Sequence, residues 1–595
     1  MQTHTFHIPV MGLAFTVDTP IKVARYGINS VVSIIEDKLI ELMRKHYYQL
    51  SNRPFVPITP DEHDYRARRI TDYLNLVNDI VRIQVEKLRT TIFETGSDVA
   101  KYFEMLPCNN RLRLAYKRMI HSRNELEKQS LASLLKNHIQ PGRIDVNIMT
   151  KVDKNNHDNN GNVIPDSSDA LAALRGYVKS DLTNSSVVFS AGLNPRLYNY
   201  LESFPEFHAK GVGKFDKEVV IKVSDYRSAL IQGKYLAKKA IWVSEFRIES
   251  GLNCGGHAFA TDGTLLGPIL EEFKTKRSIL IQALHDLYQP AARSKGIATF
   301  EEPHPIRITA QGGIGTSEES SFLSTFYNLD GTGWGTPFLL CPEATTVDTE
   351  TLGLLGRARE KDVVLSKASP LGVRFNYLKG TSAEAERLKR IKKGKPGSPC
   401  TEKYLVSNTE FTSEPICTAS HSYQKKKIEH LKSLKLPADE YQKRFDDVVS
   451  KECLCIGLSN SAIRKYDLPP VKRLEAVTIC PGPNIAYFSN VVTLREMTDH
   501  IYGRANLISG ENRPHMFIKE LMLNIKFLEE QITEVTEMNR KVVKDLQEFS
   551  ANLLKGIQYY RSFSSVISCD HSNFDEQLNS CEGEINNMIL RLENL

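Results

Sequence analysis

The sequence predicts an α/β fold of the eight-stranded (β/α)8 TIM-barrel type, and three observations carry the prediction. The stretch 305–338, PIRITAQGGIGTSEESSFLSTFYNLDGTGWGTPF, reads strand, glycine turn, helix, strand end, glycine turn. Residues 8–35 read as a βαβ opening. Between 143 and 243, short apolar runs rich in β-branched residues alternate with polar loops and a helical stretch. Consecutive βα units of a barrel have this order, and their loops gather at one face.

In chain order, 8–15 is expected to be a buried first strand. Thr19-Pro20 starts a helix, since proline suits a first helical turn, and Gly27 ends it. Residues 31–35 form the next strand. From 36 to 140 the chain is charged, helical in period and poor in strand signals, with long helices expected at 65–93 and 111–136. We read 36–140 as a helical insertion: a lid, an interaction surface or an outer structural layer. The barrel resumes with strands at 143–149, 186–193, 218–223 and 240–243, the third followed by a helix over 230–239, and 154–162 is a polar loop. Asn147 stands in an otherwise apolar strand, where an amide is costly unless satisfied. Lys222 ends its strand, where barrel enzymes keep ligand groups.

Within 305–338, Gly312, Gly313, Gly335 and Thr336 make two turns in which backbone N–H groups can approach phosphate oxygens. Thr316 with Glu319 has the form of a capping box, opening a helix whose N-terminal dipole favours an anion. A second glycine-rich stretch, Gly251-Leu252-Asn253-Cys254-Gly255-Gly256-His257, follows the strand at 240–243. An imidazole at a barrel's C-terminal face can move a proton at an activated carbon. Cys254 beside it would be a second acid or nucleophile if its pKa were lowered by His257, and otherwise a small filler.

Beyond 338 a helix is expected over 348–361. Cys400, Cys417, Cys453, Cys455 and Cys480 lack zinc-ribbon spacing, which leaves reduced core cysteines or a metal site as alternatives. Residues 479–484 are turn-rich and receive no role. Leu521, Ile525, Leu528, Ile532, Val535, Asn539, Val542, Leu546, Phe549 and Leu553 recur at heptad steps. That rhythm fits a coiled-coil homo-oligomer or an intramolecular pairing with the final helix. The expected units are a barrel of 1–35 with 141–380, the insertion 36–140, a cysteine-containing extension 381–510 and a helical segment 511–595.

The 595 residues are 41% apolar and 25% charged, with a formal charge of +6, which is mild for this length and does not imply nucleic acid. No apolar run reaches the roughly 20 residues a membrane-spanning helix needs. Met1–His7 lacks a basic n-region, and ten cysteines are too sparse for a disulfide scaffold, so a reducing cytoplasm is expected.

AQGGIGTSEE followed by LDGTGWGTPFLLCPEA resembles the FMN phosphate-binding end of the nitronate monooxygenases (2-nitropropane dioxygenases), and is similar also to the flavin-dependent enoyl reductases. The resemblance covers roughly 6–35 and 143–380. It implies that Gly312, Gly313, Gly335 and Thr336 hold the FMN phosphate, and that Gly12, Leu13 and Ala14 lie by the flavin ring with Asn147 and Lys222. It implies that Gly255 and Gly256 give close approach, and that His257 is the acid or base. Asn253 and Cys254 replace the family's Glu and Ala. The implied function is an FMN-dependent oxidoreductase acting on a nitronate-like or enoyl-like substrate, small or carrier-bound, with NAD(P)H or oxygen as redox partner. A phosphate-binding barrel without redox chemistry and a scaffold protein are the alternatives.

Overall fold

The computed structural model describes residues 3–148, 152–157, 161–470, 474–509, 513–534, 540–567 and 571–593. Its strands are β1 (Phe6–Ile8), β2 (Asn29–Ser33), β3 (Ile144–Asn147), β4 (Ser185–Phe189), β5 (Lys217–Val223), β6 (Val243–Glu249), β7 (His257–Ala258), β8 (Arg307–Gln311), β9 (Gly331–Gly333), β10 (Val363–Ser366) and β11 (Arg374–Leu378). Eight of them form a closed parallel barrel in the order β1-β2-β3-β4-β5-β6-β8-β9, and β1 pairs with both β2 and β9 to close the ring. The fold is therefore a (β/α)8 barrel with added helices. A small antiparallel sheet, β10-β11-β7, stands outside it.

Alternation along the strands explains the two sides of the wall. In β3, Ile144 and Val146 join the apolar core shared with the surrounding helices. Asp145 instead meets Arg247 of β6 across the interior. The interior holds a charged lattice. Arg247 bonds Asp145 at 2.6 Å and Glu245 at 2.7 Å, Arg143 bonds Asp145 at 2.8 Å and Glu218 at 2.7 Å, and Arg307 reaches Glu245 at 2.8 Å. Buried charges are tolerable only when paired and hydrogen-bonded, and here each partner sits on a different strand or on an alternate position of the same one. Burial opposes charge on Glu245, yet Arg247 and Arg307 hold its carboxyl down at about 2.

Several element boundaries differ from expectation, each for a local reason. The first strand is Phe6–Ile8 rather than 8–15, because Pro9 ends the ladder and Gly12 turns the chain with φ +52°. The helix expected over 111–136 is two, Arg111–His121 and Glu125–Asn137, divided where the Asn124 side chain accepts from the N–H groups of Leu126 and Glu127. The helix expected over 348–361 is Thr349–Leu355, ending at Gly356. Met149 and residues 158–160 lie outside the described residues. The insertion's long helix Tyr65–Thr90 packs on the helices Asp169–Val178 and Thr19–Val23, and its apolar face is continuous with the core.

The heptad stretch is not one continuous helix. Met516–Glu534 and Arg540–Arg561 are separate helices that pack on each other and on His571–Glu593. Leu521, Ile525, Leu528, Ile532, Leu546, Phe549 and Leu553 are buried in that intramolecular bundle, while Val535 and Asn539 lie outside the described residues. The bundle reaches the barrel through Glu520. Its carboxyl accepts from Ser250 Oγ at 2.6 Å and from Leu266 N–H at 2.8 Å.

Burial pushes Glu520 from its ordinary 4.5 up to about 7. Between those values the folded chain keeps a proton that the unfolded chain releases, so stability falls as pH rises through the window. The Glu520 contribution to that loss should be about 3 kcal/mol, complete above its folded pKa. Urea unfolding from about pH 4 to 8 should show a smaller fall for Glu520→Gln than for the wild type.

Candidate active site

A cavity of ≈ 940 Å³ opens where the barrel strands end, within the usual range for small-molecule sites. Its wall is drawn from Val10 after β1, Ile34 after β2, Ile148 after β3, Lys222 of β5, Glu249 of β6, Gln311 of β8 and Gly333 of β9. It therefore lies at the C-terminal face, where barrel enzymes keep their chemistry.

Of the residues singled out in the sequence, Gly12, Leu13, Lys222, Cys254, Gly255, Gly256, His257, Gly312, Gly313, Gly335 and Thr336 all line this one cavity. Two do not. Ala14 is fully buried in the apolar core behind the wall. Asn147 is also fully buried and absent from the wall, although its neighbour Ile148 is part of it. Neither polar atom of the Asn147 side chain has a hydrogen-bond partner within the protein. An orphaned amide at the cavity end of a strand is the kind of group a bound polar ligand satisfies.

A polar string crosses the floor. Lys222 Nζ lies 3.2 Å from Glu249 Oε1, which also accepts from Gln311 Nε2 at 2.7 Å. Gln311 Oε1 is 3.4 Å from His7 Nε2. Burial, reinforced by the Arg247 charge, pulls the His7 imidazole down to about 3, so that ring is neutral at ordinary pH. The string connects β5, β6, β8 and β1. Glu249 and Gln311 went unnoticed in the sequence, although both end strands at the level of Lys222.

His257 opens β7, which pairs with β11 so that His257 stands opposite Phe375. Its Nε2 is 2.8 Å from Ser369 Oγ, and its ring meets Phe375 edge-on at 5.2 Å. The small outer sheet and the connection between its strands β10 and β11 thus hold the imidazole. Cys254 does not have the lowered thiol pKa on which a nucleophilic role depended. Burial first, and the nearby Glu249 carboxylate second, push that thiol well above its ordinary value, so it is a neutral group packed beneath Gly312.

The turn after β8 is tightly built. Gly312 and Gly313 have φ of +107° and +79°, and a Cβ on Gly313 would lie 2.6 Å from Asn253 Nδ2. The expected capping box is present: Thr316 Oγ1 accepts from Glu319 N–H, and Glu319 Oε2 accepts from Gly315 N–H at 2.8 Å and Thr316 N–H at 3.3 Å. The helix start is consequently closed by its own carboxylate. This corrects the expectation that the dipole end faces a ligand, and leaves Gly312–Ile314 and Gly335–Thr336 as the glycine-turn part of the cavity wall. Among the described residues no cluster of three or more His, Cys, Asp or Glu side chains is arranged to hold a metal ion. No helix among them is long and apolar enough to cross a membrane.

Fold and site together define a parallel (β/α)8 barrel with a large cavity at its C-terminal mouth, lined by two glycine turns and one histidine. No protein-family model and no curated protein matches the chain. Among solved structures, it is similar to the enoyl reductase domain of MlnA from the macrolactin biosynthesis cluster of Bacillus amyloliquefaciens. That match has 16% identity and a TM-score of 0.33, covering 69% of this chain and 89% of that one.

Gly313→Ala should test how tightly the turn is built. A left-handed alanine costs about 1 kcal/mol or more by itself. Gly96 has the same φ of +79° but open space around it, so Gly96→Ala carries only that conformational cost. Chemical denaturation should show Gly313→Ala to be the more destabilised of the two, since its Cβ must also displace Asn253.

Proposed function

We propose that this chain is an FMN-dependent oxidoreductase in which His257 moves a proton at the substrate's reacting carbon. The observation that carries the reading is convergence: two glycine turns separated in sequence and the Gly255-Gly256-His257 loop meet on one cavity. The residues fit the cofactor. Gly312, Gly313, Gly335 and Thr336 would hold its phosphate through backbone N–H groups and one hydroxyl, and Lys222 would meet polar atoms of the ring. When bound, FMN would supply the two-electron redox chemistry.

The protein's own groups do the rest. Gly255 and Gly256 have no side chains to hold a flat ligand away. Phe15, Leu13, Leu339 and Ile479 on the wall exclude water. Ser369 holds His257 Nε2, so the imidazole presents a fixed edge for proton transfer. Lys222, held by Glu249, places a positive charge on the floor where negative charge on a bound ring would be stabilised. Asn253 takes the place of the acidic residue in the nitronate motif, and it is buried with its Nδ2 donating to Met516 O at 3.1 Å. No second carboxylate therefore assists His257 from that position. This favours reduction of an enoyl-like substrate, with NAD(P)H as donor, over nitronate oxidation by oxygen.

The purified protein should show absorption bands near about 370 and 450 nm and release FMN on denaturation. A colourless protein that fails to take up added FMN would overturn the proposal. His257→Gln should keep its flavin while turnover falls by about 100-fold or more, as expected for removal of a general acid or base. Anaerobic bleaching by NADPH, monitored at the longer-wavelength band, would distinguish a reductase from an oxygen-dependent enzyme.

A further inference from the structure

The segment between the small sheet and the C-terminal helices lies directly against the β8 turn. Three successive carbonyls of that turn meet side chains from it. Gly313 O accepts from Arg513 Nη2 at 2.8 Å, Ile314 O accepts from Asn484 Nδ2 at 2.9 Å, and Gly315 O lies 2.8 Å from His500 Nε2. The C=O and N–H of one peptide plane point in opposite directions. Holding the Gly313 carbonyl toward Arg513 therefore turns the Ile314 N–H the other way, and Gly312, Gly313 and Ile314 all border the cavity.

Arg513 is fixed from several sides. Besides Gly313 O, it donates to Asn484 Oδ1 at 2.9 Å and to both oxygens of Glu319, at 2.7 and 2.9 Å. A Cβ on Gly315 would lie 2.5 Å from its guanidinium carbon, too close for the arginine to keep this seat against any other residue. The second glycine turn is held from the same segment, since Gly482 N–H donates to Thr336 Oγ1 at 2.9 Å. The turn containing Gly482 also packs on the histidine loop, where a Cβ on Gly255 would lie 2.4 Å from Cys480 O.

We infer that Arg513 and Asn484 are positioning residues for an anion site, and that this extension gives the barrel its selectivity for a phosphate monoester. The inference rests on the FMN reading above and deepens it. Neither side chain needs to touch the ligand. Arg513 acts by fixing which way the Gly313–Ile314 peptide faces, and Asn484 by holding Arg513 and the next carbonyl of the turn; a barrel without them would keep the glycines but lose the aligned Ile314 N–H.

The test is a fluorescence titration of the flavin-stripped full chain with FMN and with riboflavin, which lacks only the phosphate. Wild type should prefer FMN by about 100-fold or more, the yield of several charge-assisted hydrogen bonds. Arg513→Gln should weaken FMN by about 10- to 100-fold, as expected for loss of hydrogen bonds to a charged group, with riboflavin affinity unchanged. Asn484→Ala should shift the ratio in the same direction, and carries the test if Arg513→Gln does not fold. An unchanged FMN-to-riboflavin ratio in a folded variant would overturn the inference, and so would an equal loss for both flavins. A wild type that binds neither flavin would instead remove the FMN reading, and the inference with it.

Discussion

One buried carboxylate, that of Glu319, holds the mouth of this barrel together. It caps the helix Ser317–Phe326, accepts from two Arg513 nitrogens, and takes the Met516 N–H at 2.8 Å at the start of the C-terminal helices. Burial alone would raise its pKa, but the Arg513 charge and then His515 bring it below the ordinary value. A carboxylate with this many donors stays ionised without water, and the donors come from two parts of the chain nearly 200 residues apart in sequence, the turn after β8 and residues 513–516. Were it neutral or absent, Arg513 would be a buried cation without a charged partner, which is among the costlier defects a protein can carry.

The barrel was legible in the sequence because its signals are local. The strand, glycine turn and capping box of 305–338 are each decided by neighbours a few residues apart, and the structure has the box at Thr316 and Glu319. Gly27 ends its helix with φ +78°, as an isolated glycine after an apolar turn suggests. Boundaries failed where two local rules compete. Residues 8–15 are apolar enough for a strand, but Pro9 and Gly12 break the ladder. Asn124 is a plain polar residue until its side chain turns back to cap a helix.

The site was only half legible. Glycines and a histidine advertise themselves by composition, and eleven of the proposed residues do share the cavity. What fixes them in place does not announce itself. Ser369, Asn484, His500 and Arg513 are ordinary polar residues, and their roles come from contacts 112 to 200 residues away in sequence. The turn at 479–484 was visible as a turn, but nothing local says which loop it will touch. Lys222 was noticed as the residue that ends its strand; its partner Glu249 lies on the next strand, a pairing set by the β5–β6 register.

The hold of Glu520 on Ser250 and Leu266 has a consequence for the order in which the molecule is made. The histidine loop and the β8 turn are translated well before the residues that shape them, which lie between 480 and 520. At ordinary elongation rates the interval from the β8 turn to Glu520 is on the order of 10 s or more, long compared with the folding of a barrel wall's local elements. During that interval the nascent barrel has its glycines but not the groups that orient them. The wall of the cavity therefore takes its final form only once the residues up to Glu520 have been made.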